Sequence, residues 1–406
     1  MKSKNFISQK FSFLIFSFLI SSCATFRAVD EIPIEIKNFH NESILVDTHN
    51  DLMIRIVEKN EDLSNETKLG HSDIPRFKKG GVDLQILSVW LDPKFEKSNP
   101  FAQTSLIFDS VHSFVSKNKN KVVFVKNYDE AISAIQQKKL GVLIGVEGGH
   151  PIENDLSKLE NLFNRGMRYM AFTWNNSTNW ATSARDEFAD SLNEKPKGLT
   201  DFGKSVVRKM NELGILIDVS HVGAQSVNDI LEASEDPIIA SHSCVYNIAP
   251  HFRNLKDDQI KAIAKKEGVI FLNFYAGFLD VSFQKKYSEL YASKKNIIDS
   301  LHNAMKDSMK VEFLVWDMLK SESENLLPPI SVLIDHIDYI KNLVGSVDNI
   351  GFGADFDGAD NFPKGIIDVT SYPKITNELF LRGYTKEEIK KILGGNFLRV
   401  FRKVCG

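Results

Sequence analysis

Eight short apolar runs, most of them separated by helical patterns, constrain the fold of this chain more than any other feature. They are Ile44-Leu45-Val46, VDLQILSVW (82–90), GVLIGVE (141–147), RYMAFTW (168–174), GILIDVSH (214–221), PIIASH (237–242), GVIFLNFY (268–275) and NIGFGAD (349–355). Most are apolar on both faces, the pattern of parallel strands covered by helices. The segments between them carry helix signals. LTDFGKSVVRKMNELG, before the fifth run, has Thr200 as N-cap and Gly214 as stop. TKEEIKKILGGNFLRVFRKV, at the end of the chain, opens on a capping box of Thr385 and Glu388. Eight strands alternating with helices predict a TIM (β/α)8 barrel with helical insertions; a doubly wound parallel sheet is the alternative. The longest insertion, 276–330, is helical in pattern and is the expected place for a lid or for pairing of two copies in a homodimer.

With 406 residues, 43% hydrophobic and 25% charged, the chain is long enough to form one large barrel domain. The net charge is only -3 and no basic stripe is present, which argues against nucleic acid as a partner. The N-terminus differs from the rest. Lys2, Lys4 and Lys10 precede the apolar stretch FSFLIFSFLI, which is short for a membrane span and suits a signal peptide. ISSC follows at 20–23, small residues before a cysteine, and resembles the lipobox of bacterial lipoproteins. The expected organisation is a lipoprotein signal peptide at 1–22, a polar tether from Cys23 to residue 42, and a barrel domain over 43–406. Lipidated Cys23 would then anchor the protein to a membrane in the bacterial cell envelope. Cys244 and Cys405 could pair in an oxidising compartment, although a free cysteine filling a small apolar space is the plainer expectation for Cys244.

The runs end in chemistry. The first ends in His49 and Asp51, the third in Glu147, the fifth in His221, the sixth in His242, and the eighth in Asp355 and Asp357. In a barrel all these ends lie on one face, where active sites are built. His49 and Asp51 are two apart, so on a strand they face the same way. Three histidines and several carboxylates on one face make a site for Zn²⁺ or a similar ion. Five ligands are too many for one tetrahedral zinc and suit two ions, with Glu147 as the natural bridge. Each residue has a plainer alternative: Asp51 as a helix cap, Glu147 in a pair with arginine, any one histidine as hydrogen-bonded structure. Asp218, inside the fifth run, is expected to support the site rather than bind metal. His71, His112, His302 and His336 read as ordinary; His150 and His251 stay unassigned.

Seven ordered stretches, VDTHNDL, GVEGGH, ELGILIDVSHVG, PIIASHS, APHFRNL, GVIFLNFY and IGFGADFDG, resemble the membrane dipeptidase (renal dipeptidase) family of zinc peptidases, in the amidohydrolase superfamily. The likeness runs from about residue 43 to 403. It implies a TIM barrel holding two Zn²⁺ per chain and hydrolysing dipeptides with a hydroxide held between the ions. One zinc would be held by His49, Asp51 and Glu147, the other by Glu147, His221 and His242. Arg253 would bind the substrate carboxylate and Asp355 would act as acid and base. Mammalian members carry a substrate-binding histidine where this chain has Trp174, so Trp174 is expected in the substrate pocket in a different role. The alternatives are an amidohydrolase of another small amide or lactam, and a metal-free binding lipoprotein with a retired site.

Overall fold

The computed structural model describes residues 32–189, 197–305 and 308–406. Among the described residues nine parallel strands follow one another: β1 Val46–Asn50, β2 Leu84–Trp90, β3 Val122–Phe124, β4 Leu140–Glu147, β5 Met167–Ala171, β6 Leu216–Asp218, β7 Ile238–Ala240, β8 Val269–Leu272 and β9 Ile350–Phe352. Their order is β2-β1-β9-β8-β7-β6-β5-β4, and pairing of β2 with β4 closes the ring. Closure makes this an eight-stranded TIM barrel and excludes the open doubly wound sheet. All eight apolar runs become barrel strands. β3 was not among them: it pairs only with the start of β4, from Val122↔Leu140 to Phe124↔Val142, on the edge whose later half pairs with β5. It is a stub beside the ring, not a ninth stave.

Burial on both faces is what the runs required. All eight residues of β4 are buried. Inside the barrel, Leu84, Ile86, Leu143, Leu216, Ile239, Val269 and Phe271 form one apolar cluster with Phe397, Val400 and Phe401 of the last helix, Asn396–Cys405. The intervening residues, such as Leu87, Val89, Ile144 and Ile217, join the layer between barrel and outer helices. Each such side chain contributes about 1.5–3 kcal/mol on full burial. The last helix thus seals the barrel bottom, leaving the opposite end for chemistry.

One expectation changes. Residues 34–42, read as part of a polar tether, form a helix, Ile34–Glu42, with Phe39 and His40 buried. His40 holds it down through Nδ1 to Thr376 Oγ1 at 2.7 Å and Nε2 to the Gly80 carbonyl at 2.9 Å. The folded domain therefore begins by residue 34 rather than 43. Cys244 and Cys405 do not pair; both are buried free thiols. Cys23 and the apolar stretch before it lie outside the described residues. No helix among the described residues is long and apolar enough to cross a membrane. The insertion forms helices Val281–Ser293, Lys295–Ala304 and Ser308–Ser323, which share a small core of Ile298, Val311, Val315 and Leu319.

Candidate metal centre

His49 lies in β1 and Glu147 ends β4, whereas His221, His242 and Asp355 lie two or three residues beyond β6, β7 and β9. His221 and Asp355 turn back towards the barrel axis with left-handed backbone, φ +67° at each. Asp51 occupies the N-cap position of helix Leu52–Lys59 but makes no cap bond. Asn50 Oδ1 accepts from Leu52 N at 2.9 Å instead, so the Asp51 carboxylate is left for the site. Among the described residues Glu147 forms no ion pair with an arginine; its two oxygens divide between the histidines. Oε2 lies 3.5 Å from His49 Nε2, and Oε1 lies 2.9 Å from His221 Nε2 and 3.6 Å from His242 Nε2. His49 Nε2 is also 3.4 Å from Asp51 Oδ2 and 3.9 Å from Asp355 Oδ1.

The hydrogen bonds behind the rings decide what faces inward. Tyr169 donates its hydroxyl hydrogen to the Thr48 carbonyl at 3.1 Å, so it accepts from His49 Nδ1 at 2.9 Å. Asn175 Oδ1 accepts from His221 Nδ1 at 3.0 Å. Ser241 Oγ donates to Asp218 Oδ2 at 2.6 Å and accepts from His242 Nδ1 at 2.8 Å. With Nδ1 carrying hydrogen on all three rings, Nε2 is the atom each turns to the centre, and on neutral His221 and His242 it presents a lone pair. His221 Nε2 and His242 Nε2 are 2.9 Å apart, a contact two lone pairs cannot turn into a hydrogen bond. His49 Nε2 is buried with no hydrogen-bond partner. A divalent cation satisfies this arrangement, and the mixed imidazole and carboxylate set suits zinc. Donor atoms of His49, Glu147 and His242 lie within 4.8 Å of one another, as do those of His49, Asp51 and Asp355. The second grouping brings Asp355 within ligand reach, closer to the centre than its expected acid–base role required.

Protonation points the same way. Burial pushes His221 down to about 3 and His242 well below its ordinary value, so both rings are neutral, the form in which imidazole can bind a metal. Burial also opposes charge on His49, but Tyr169, Glu147 and Asp51 override it and raise its pKa well above normal. This pull towards positive charge is one that a bound cation would satisfy. Burial raises Asp355 to about 8, helped by Asp51 and Glu147. Asn273 Nδ2 donates to Asp355 Oδ2 at 2.8 Å, leaving Oδ1 facing His49.

A cavity of about 440 Å³ opens over the centre, lined by Asp51, Glu147, His221 and Asp355 together with Trp174 and Arg253. Arg253 is 4% exposed, and its Nε and Nη1 have no partner. Its Nη2 donates to the His242 carbonyl at 3.1 Å. Burial brings it down to about 10, still charged at neutral pH. A free guanidinium edge is thus aimed at whatever the cavity holds. Trp174 packs edge-on against Trp90 at 5.4 Å, with its ring 6.3 Å from that of His221.

Asp218 supports the site as expected, through Ser241. Asp357 does not join the centre: it accepts from Ser72 Oγ and from His71 N at 2.7 Å, and pairs with Arg55 at 3.5 Å. His150 bonds the Ser177 carbonyl at 3.3 Å, away from the centre; His251 lines the cavity and accepts from Arg253 N at 3.2 Å. Asn175, which with Trp174 ends the fourth run in a polar group, reaches the site as the support of His221. Tyr169, Ser241 and Asn273 went unread in the sequence; Ser241, next to His242, carried the only signal.

A closed parallel barrel with histidines and carboxylates gathered at its C-terminal rim defines a metal-dependent hydrolase. The chain belongs to the membrane dipeptidase family (Peptidase family M19), whose model matches residues 34–405, and it is a metallopeptidase. Solved structures share the fold at low identity. A probable dipeptidase from Pseudomonas aeruginosa is 23% identical, with TM-score 0.75 over 91% of this chain and 98% of its own. An amidohydrolase from the same organism is 22% identical, with TM-score 0.69 over 91% and 99%. A metallo peptidase from Rhodobacter sphaeroides, solved with a phosphinate mimic of the dipeptide L-Ala-D-Ala, is 21% identical, with TM-score 0.71 over 89% and 99%.

Proposed function

We propose that this metal-dependent dipeptidase works with two zinc ions bridged by Glu147 and cleaves dipeptides bearing a free C-terminal carboxylate. The observation that carries the reading is the division of Glu147: Oε2 towards His49 and Oε1 towards His221 and His242. His49 and Asp51 would hold one ion with Glu147, and His221 and His242 the other. Bound there, the ions would supply Lewis acidity and lower the pKa of a bound water. Arg253 grips the substrate carboxylate with its free Nε and Nη1 edge, fixing the peptide carbonyl over the centre. With cations bound beside it to favour its ionised form, Asp355, fixed by Asn273 at Oδ2, would take the proton of the attacking water at Oδ1 and pass it to the leaving amine. Trp174 and Trp90 wall the cavity.

The lipobox-like ISSC at 20–23 supports a lipid anchor on Cys23, which would hold the enzyme at a membrane of the bacterial cell envelope. Exposed Ile297 and Leu314 on the insertion are where pairing of two copies would rest.

The test is hydrolysis of a panel of L,L and L,D dipeptides by zinc-loaded protein, with and without a chelator, beside the same dipeptides amidated at the C-terminus. Cleavage of free dipeptides only, abolished by chelation, is expected. Equal cleavage of amidated substrates would remove Arg253 from its role, and no cleavage of any dipeptide would remove the function.

A further inference from the structure

Two arginines line the cavity, and the reaction described above uses one. The second is Arg185. Among the described residues its guanidinium meets no acid, carbonyl, hydroxyl or ring. Arg55, Arg76, Arg165 and Arg382 are each paired with a carboxylate, and Arg168 and Arg399 bond backbone carbonyls. The acids of the cavity lining do not serve it either: Glu312 lies 3.8 Å from His302, and Asp360 lies 3.5 Å from His71.

The backbone under Arg185 is pinned to the metal centre. Ala184 N donates to the His221 carbonyl at 2.8 Å. Ser183 Oγ accepts from Asp186 N at 3.1 Å and donates to the Asn175 carbonyl at 3.0 Å. Asp186 Oδ2 accepts from Ser177 N at 2.8 Å. At the far end of this short helix, Ala184–Phe188, the Phe188 ring packs 5.8 Å from that of Phe252, the neighbour of Arg253. The two cations therefore sit on one wall of the cavity, Arg253 deep and Arg185 at the rim.

A neutral dipeptide has one carboxylate, and Arg253 takes it. A guanidinium on the same side of the cavity, on a helix packed against the neighbour of Arg253, offers a second positive group to the residue whose carboxylate Arg253 holds. We infer that Arg185 selects dipeptides whose C-terminal residue carries an acidic side chain, aspartate or glutamate. The inference rests on the dipeptidase reading and names its substrate class. A carboxylate there gains a charge-assisted, bidentate bond, while the amide of glutamine has the same shape and no charge.

The experiment compares isosteres. Ala-Glu is measured against Ala-Gln, with L and D forms of the second residue, and Glu-Ala against Gln-Ala, with Ala-Ala as reference. For wild type, kcat/KM for Ala-Glu should exceed that for Ala-Gln by roughly tenfold, mostly through KM, as a charge-assisted bond outweighs a neutral one. The ratio should fall near one in Arg185→Gln, survive in part in Arg185→Lys, and shrink as salt screens the rim. A wild-type ratio near one, a ratio that persists in Arg185→Gln, or discrimination only between Glu-Ala and Gln-Ala would overturn the inference. Hydrolysis of Ala-Ala without preference for Ala-Glu sinks this inference alone; hydrolysis of none sinks the dipeptidase reading with it.

Discussion

At Trp174 a single side chain separates two accounts of catalysis. The indole has one N–H and cannot be charged. It lies edge-on to Trp90 at 5.4 Å and beside His221, half-buried, as a wall would. Trp174→Phe should therefore raise KM a few-fold and alter side-chain preference while kcat is retained. Steady-state kinetics on two dipeptides would check this. A fall in kcat of about a hundredfold, the usual loss of one oxyanion donor, with metal content and KM unchanged, would make Trp174 catalytic. The residues of the centre were legible because an ionisable group ending an apolar run is costly unless it is used. Tyr169 was not, since in RYMAFTW it is one more large core residue. Only the space above Gly145, where an added Cβ would lie 2.0 Å from the Tyr169 ring, lets that hydroxyl reach His49.

Helix Ser331–Val344 shows how one element depends on the charge state of one ring. His336, fully buried, accepts from Val245 N at Nδ1 (3.1 Å) and donates from Nε2 to the Leu279 carbonyl (3.0 Å). Burial lowers its pKa from 6.5 to about 4. The folded value lies below the unfolded one, so the stability from the neutral ring is complete above pH 6.5 and is lost as pH falls towards 4. The loss reaches about 3 kcal/mol. His336→Gln keeps one acceptor and one donor and does not titrate. Denaturant titrations should show the stability gap between wild type and this variant shrinking by that order between pH 7 and 4.5; a constant gap would contradict the assignment. At this scale the long strands and capped helices were readable from periodicity. β3 was not, because VVF is three residues between lysine-rich flanks. Helix Ile34–Glu42 was not, because buried His40, held by tertiary bonds, reads as polar.

The whole molecule is a barrel sealed at one end by Asn396–Cys405 and open at the other to the substrate cavity, with its first described helix packed on the outer layer. If Cys23 carries lipid, the domain hangs from a membrane by the ten residues between that cysteine and Ile34. Cys23→Ser should then release the protein from the membrane fraction and block incorporation of labelled fatty acid. Retention of the variant with membranes as complete as that of wild type, with no label on wild type, would remove the anchor.

Metal stoichiometry tests the central claim most directly. Glu147 is placed between two histidine groups, and a neutral amide is a poor bridge. Elemental analysis of the purified, zinc-loaded protein should find two zinc ions per chain, and in Glu147→Gln both sites should weaken together, leaving well under one. One ion per chain in wild type, or a full pair retained in Glu147→Gln, would contradict the bridged two-metal centre.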